Sequence, residues 1–375
     1  MKQIIIIGNG FDLAHGLKTS YTHFADFYLR NVFEKFISES KYSDNIIEIN
    51  CTESLSVNTI SEIKNRLKKK FEDGDLEKYK EVIQYLKSLD PTIKISFITD
   101  LSNQLFNENL IKNRKWWNIE LEYFLELKKI LENNNKISEE QTEKKIDILN
   151  LTFGNLKSKL NEYLNNINRE IEYKEKIIKT LKNPNDYYKI LILNFNYTDT
   201  IQRYFSDKNI STKNIKIINF HGDLTNNNYN PMIFGFGYFS NTNFEKIKEY
   251  RSKNALKYLK TLEYKRSFNY TKLHNWLIDQ EIEDSAIQMN DEFKNSKGYY
   301  DVLILGHSCS ITDGEVLKKV INSEKCVSLN ILHNSEKKNA LNDYMEKQYQ
   351  LFYLFDNVDD FRLKIKPFDE RDTFD

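Results

Sequence analysis

Glycine and proline are scarce in this 375-residue chain, with 11 Gly and 4 Pro, well under the usual ~7% and ~5%. There are only three cysteines, Cys51, Cys309 and Cys326. Their scattered spacing excludes a disulfide framework or a Cys-based zinc site and fits a reducing compartment. No apolar run approaches the ~18 residues of a membrane-spanning helix, and the opening segment is too short for a secretory signal. A cytoplasmic protein without a membrane partner is expected. There is no excess charge either. Lys+Arg and Asp+Glu both number 55, so the chain as a whole has no attraction for nucleic acid.

Aromatic and apolar residues are plentiful, with 24 Phe, 23 Tyr and 40% hydrophobic residues. That is enough to build a core and to exclude wholesale disorder. The length predicts two domains, or one core with a large insertion. Gln3 to Ile7 opens as a β-branched strand closed by Gly8, and helical spacing follows from Phe11. Short apolar strands return at Tyr188–Leu193, Ile215–Phe220, Val302–Leu305 and Val327–Leu332, a pattern of strands covered on both faces. Between them, Asn31 to Lys182 reads as helical and charged. Its clearest stripe is Ile146, Leu149, Phe153, Leu156, Leu160, Leu164, Ile167 and Ile171. A second helical stretch spans about Asn243 to Tyr264. The expected architecture is α/β: a mostly parallel, Rossmann-like sheet carrying a large helical insertion. Residues 1–30 and 185–345 form the nucleotide-binding core, 31–184 the insertion, 240–295 a smaller insertion, and 346–375 a C-terminal segment with a partly ordered tail.

Eight of the eleven glycines (Gly8, Gly10, Gly16, Gly222, Gly235, Gly237, Gly306 and Gly314) cluster with His15, His221 and His307, and four segments in or between these clusters are singled out. In a glycine-poor chain, such positions mark positive φ or the close approach of a ligand. The first, Gly8-Asn9-Gly10-Phe11-Asp12, follows a strand and offers backbone N–H groups to a phosphate; Asp12 either caps the helix or holds a ribose hydroxyl or a water. The second, Asn194-Phe195-Asn196-Tyr197-Thr198-Asp199, lies at a strand's carboxyl end, where open α/β sheets bind ligands; a capped turn is the alternative. The third, Phe220-His221-Gly222-Asp223, puts an imidazole at another strand end, as a proton acceptor or as a hydrogen-bonded structural group. In the fourth, Gly306-His307-Ser308-Cys309-Ser310-Ile311-Thr312-Asp313, Asp313 serves either a nucleotide or the next helix as N-cap.

The motif from Gly8 to Tyr21, with Asn-Phe-Asn-Tyr-Thr-Asp and His-Gly-Asp later, closely resembles the AbiH family of phage abortive-infection proteins. More distantly, the order of segments is similar to sirtuin-like NAD-binding proteins. That resemblance implies Asn196 and His221, with Asp12, as catalytic residues. It implies Gly8, Asn9, Gly10, Thr19, Asp199, Gly306, Ser308 and Asp313 as dinucleotide contacts, and NAD as ligand or substrate without a metal. Asp12 replaces the usual serine, Thr198 stands where an aspartate usually follows Asn-Tyr, and the zinc cysteines of deacetylating sirtuins are absent. Cleavage of the nicotinamide–ribose bond is therefore the activity implied, rather than deacetylation. A nucleotide-sensing module without turnover is one alternative. A nucleic-acid effector using Lys68 to Lys70 and Lys112 to Trp117 is another. A homo-oligomer and a phage-derived trigger complete the expected partners, and Glu120 is a further carboxylate that could serve the site.

Overall fold

Four consecutive isoleucines, Ile4 to Ile7, make strand β1 (Lys2–Ile7), and all four are buried. Burial on both faces requires cover on both sides of the sheet. The computed structural model describes residues 2–39, 41–51, 93–106, 115–133, 136–182, 189–224, 230–237, 247–287, 298–334 and 339–374, with isolated positions between 61 and 88. The chain divides into two compact units. The first comprises Met1–Thr19, Ile167–Ser240 and Tyr258–Asp375, and the second Ser20–Asn166 and Asn241–Lys257.

The first unit holds the parallel sheet. Beside β1 lie β5 (Lys189–Asn194), β6 (Ile215–Asn219), β7 (Tyr300–Leu305) and β8 (Cys326–Leu332), in the order β6-β5-β1-β7-β8. This is the 3-2-1-4-5 order of a doubly wound sheet, with its switch point between β1 and β7. The period-2 alternation of the strands divides the core. Ile4 and Ile6 join Leu191, Leu193, Val302 and Ile304 on one face; Ile5 and Ile7 join Ile190 and Ile192 on the other. Each fully buried Ile is worth roughly 1.5–3 kcal/mol, so the four in β1 fix its register between β5 and β7.

At the switch point the glycines are needed for contact between loops. Gly10 N donates to Gly306 O at 2.8 Å. Gly306 has φ +67°, and a Cβ there would sit 2.1 Å from Phe11 N. The turns after β1 and β7 thus press backbone on backbone, so the close approach expected of a ligand is here made by the neighbouring turn.

The C-terminal residues, read from the sequence as a partly ordered tail, are tied down. His333 N donates to Asp372 O at 3.0 Å and Phe374 N to His333 O at 3.1 Å. Phe374 is buried, its ring 6.3 Å from that of Phe11. One apolar anchor and two ladder bonds outweigh the polar composition of this segment.

The second unit contains the long helix the stripe predicts, Glu139–Asn166, with Ile146, Leu149, Phe153, Leu156, Leu160 and Leu164 buried. It ends before Ile167 and Ile171. Asn165 and Asn166 turn their amides back onto the carbonyls of Asn161 and Glu162 at 3.0 and 2.9 Å, which satisfies the last turn. The unit is not wholly helical. Strands β2 (Lys41–Ser43), β3 (Ile47–Cys51) and β4 (Ile93–Phe97) pair antiparallel. Their hairpin is set by Asp44, whose carboxylate accepts from the N–H groups of Ile46 and Ile47 and the hydroxyls of Tyr28 and Tyr42. A three-residue strand is too short for its alternation to be read within a charged sequence. The unit begins at Ser20 rather than 31, and it takes only Asn241–Lys257 of the smaller insertion.

Candidate functional site

The segments that follow β1, β5, β6 and β7 all leave the carboxyl edge of the same sheet, and the first unit gathers their side chains into two clusters. The cluster over β1 and β5 is centred on Asp12. Asp12 lies in the short helix Asn9–Ala14, and no side chain caps that helix. Its Oδ2 accepts from Thr198 Oγ1 at 2.6 Å, and Thr200 Oγ1 lies 3.2 Å from Thr198 Oγ1. Asp12 Oδ1 is buried without a hydrogen-bond partner among the described residues. Asn196 donates from Nδ2 to Gly8 O at 3.1 Å and has its own N–H accepted by Asn194 Oδ1 at 3.1 Å. The Asn196 carboxamide therefore rests on the first glycine turn.

Burial pushes the Asp12 carboxyl up to about 6, against the lowering effect of Thr198, Thr200 and Asn196. A raised pKa stabilises the fold below the unfolded value of 3.8, and that contribution is lost as pH rises through about 6. At neutral pH the buried charge costs on the order of 2–3 kcal/mol. Asp12→Asn keeps the acceptor for Thr198 and removes the charge. It is expected to raise the unfolding free energy by about 2 kcal/mol at pH 7 and by almost nothing near pH 4. Urea denaturation at both values checks the difference.

The second cluster surrounds Asp313, at the end of the 3-10 turn Ile311–Asp313 before the helix Gly314–Ile321. Asp313 occupies the N-cap position of that helix, yet its side chain makes no capping bond. The carboxylate instead faces the cluster. Oδ1 accepts from His221 Nε2 at 2.9 Å, Lys260 Nζ at 2.8 Å and Tyr264 Oη at 3.4 Å, and His307 Nε2 lies 3.5 Å from Oδ2. The turn's own cap is Ser310, whose hydroxyl accepts from Thr312 N. The Phe195 ring meets both histidines edge-on, at 5.1 Å from His221 and 4.5 Å from His307. Gly8 packs against His307, where a Cβ would come within 2.6 Å of the His307 Cα.

The bonds assign the protons. His307 Nδ1 accepts from Cys309 N at 2.9 Å, so its proton is on Nε2, toward Asp313. This bond also pins Cys309 at φ 57°. His221 donates from Nε2 to an ionised carboxylate, which leaves Nδ1 as a lone-pair acceptor. Burial and the Lys260 charge lower His221 to about 4, with Asp313 opposing, so the imidazole is neutral at physiological pH. Burial alone would raise Asp313, but Lys260 and His221 hold it well below the usual carboxylate range. Burial pushes the Cys309 thiol up to about 12, which removes it as a nucleophile. An anchored neutral imidazole with a free lone pair is what a general base requires.

The remaining expected residues are more dispersed. Asp199 is half-exposed and pairs with Arg203 at 3.3 Å and Arg169 at 3.9 Å. Thr19 is buried, while Asn9 and Ser308 are half-buried. His15 is a satisfied core histidine: Nδ1 donates to Phe11 O at 2.7 Å, and Nε2 accepts from Tyr204 Oη at 2.5 Å. In the second unit Glu120 is buried, and Trp116 packs edge-on against Tyr21 at 5.5 Å. Lys70, Lys112 and Arg114 lie outside the described residues. Lys260 and Tyr264 escaped sequence reasoning altogether. Their helix, Lys260–Arg266, is charged and short, and nothing in its spacing separates one buried lysine from its solvated neighbours.

Among the described residues, no group of three or more His, Cys, Asp or Glu side chains is arranged to hold a metal ion. Nor is any helix there long and apolar enough to cross a membrane. A family model described as bacteriophage abortive infection AbiH matches residues 4–334. No curated protein and no solved structure matches the chain.

Proposed function

Since the chain belongs to the AbiH family of bacteriophage abortive-infection proteins, we propose that it acts in infected cells by hydrolysing NAD⁺ at the nicotinamide–ribose bond. The observation that carries this reading is the His221–Asp313 pair at the carboxyl edge of a doubly wound sheet, 2.9 Å between Nε2 and Oδ1. In the reaction, the C1′–N bond breaks and nicotinamide leaves with the bonding electrons. Water adds to C1′, and its proton passes to His221 Nδ1, directly or through a ribose hydroxyl. The products are ADP-ribose, nicotinamide and a proton. Glycosyl transfer of this kind passes through an oxocarbenium-like state. The base takes the proton as water adds to this electron-poor carbon, whose pull on the water oxygen acidifies it, so an imidazole of low basicity suffices. Asp313 stabilises the imidazolium as it forms. Asn196, whose Nδ2 is committed to Gly8 O, offers its carboxamide oxygen to a ribose hydroxyl, and the Asp12–Thr198–Thr200 cluster lies beside it.

The pH dependence follows from the His221 shift. The base works when neutral, so turnover falls as pH drops through about 4 rather than through the ordinary histidine value near 6.5. Nicotinamide release measured between pH 3.5 and 8, within the range where circular dichroism shows the protein folded, tests this. A flat profile from 5 to 8 supports the reading, and an acid limb near 6.5 contradicts it. Calorimetry with NAD⁺ separates the alternative: heat of binding without released nicotinamide describes a nucleotide sensor.

A further inference from the structure

The helix Ala340–Phe352 in the first unit packs onto the core through one stripe. Tyr344 and Leu351 are buried, and Lys347 is drawn in beside Asp343 at 2.7 Å. One position further round the same helix runs a second apolar stripe: Leu341, Met345, Tyr349 and Phe352, spaced i, i+4, i+8 and i+11. These four are 50, 41, 63 and 45% exposed. The stripe does not stop at the helix end. Tyr353 is exposed with its ring 5.9 Å from that of Phe352, and Phe352 meets Phe361 edge-on at 5.3 Å.

We infer that this stripe is a two-fold interface with a second copy of the same chain. Single exposed apolar residues are ordinary, but a row of four along one helix, continued by Tyr353 at its end, marks an interaction surface. At 150–250 Å² per large aromatic, these side chains leave roughly 500 Å² exposed, most of the ~800 Å² that each partner contributes to a stable pair. Charge narrows the occupant. From Ala340 to Tyr353 the only basic residue is Lys347, which is buried, so the helix itself offers no cation to a phosphate backbone or an anionic membrane. The stripe is also compatible with itself. In an antiparallel pairing about a two-fold axis near residue 347, Leu341 opposes Phe352 and Met345 opposes Tyr349. Glu346 then falls opposite Gln348 rather than a like charge, and such isologous pairing is the commonest form of assembly.

The test is independent of NAD⁺ chemistry. Sedimentation velocity of the full chain from 1 to 50 µM should show a species of twice 44.8 kDa. Tyr349→Lys, at an exposed position, should weaken dimerisation at least about 30-fold, as loss of a central aromatic anchor does, while the circular dichroism spectrum stays unchanged. Leu151→Lys, equally exposed on the helix Glu139–Asn166, should leave the dimer intact. A wild-type chain that is monomeric at 50 µM overturns the inference. So does a Tyr349→Lys variant that dimerises as tightly as wild type.

Discussion

His221→Gln is expected to lower the rate of nicotinamide release by about 10²–10⁴-fold, the contribution of a positioned general base, while leaving the protein folded. Glutamine can still donate from its amide to Asp313 and fill most of the imidazole's volume, so the buried carboxylate keeps that partner. What it lacks is the second nitrogen lone pair, the atom to which the mechanism assigns the proton. NAD⁺ binding should change little, because His221 acts on the reacting water rather than on the adenosine. The variant therefore separates kcat from Kd. A loss confined to kcat, read by chromatography of released nicotinamide beside calorimetric affinity, supports the base. Equal turnover in the two proteins removes His221 from the chemistry.

The second large effect is on stability. Asp313→Ala is expected to cost about 3–5 kcal/mol, because it removes the carboxylate that stands 2.8 Å from the fully buried Lys260 ammonium. Against a total stability of roughly 5–15 kcal/mol, that is enough to lower the melting temperature by several degrees. The reciprocal change Lys260→Met should cost less. Asp313 keeps His221 at 2.9 Å and His307 at 3.5 Å as polar partners. It should also raise the His221 pKa, because the Lys260 charge is one of the causes of its depression. The pair Asp313→Leu with Lys260→Met removes both charges, and packed apolar replacements of buried ion pairs are often neutral. The double variant should recover most of the lost stability and none of the turnover. Wild type, Asp313→Leu, Lys260→Met and the double variant close one thermodynamic cycle that measures the coupling. A double variant as unstable as Asp313→Ala alone would mean that the carboxylate holds the site by something other than the Lys260 charge.

The sheet was legible because its strands are short, β-branched and bounded by glycine. All four of the later strands predicted from sequence stand within one or two residues of where the hydrophobic runs put them, and the parallel arrangement follows from their burial on both faces. The convergence of Gly8, Asn196, His221 and Gly306 at one edge was also legible, since segments leaving the carboxyl ends of parallel strands share that edge by construction. The partner of His221 was not. Asp313 stands one residue before a helix, where an aspartate is ordinarily a cap, and only coordinates reveal that its side chain turns away from the helix to the imidazole. Lys260 was invisible for a related reason: the carboxylate that pairs with it when buried, Asp313, stands 53 positions away in sequence. The sheet Lys41–Phe97 in the second unit was missed because its strands of three to five residues lie among charges, with too little length to show a period of two.

The most direct test of the account is nitrogen NMR of the His221 imidazole, titrated with acid and then with NAD⁺. The expected result is a neutral ring protonated at Nε2 and bare at Nδ1 from pH 8 down to about 4, with the Nδ1 resonance moving when NAD⁺ is added. A ring that takes up its second proton near pH 6.5, or one whose resonances ignore millimolar NAD⁺, would contradict it.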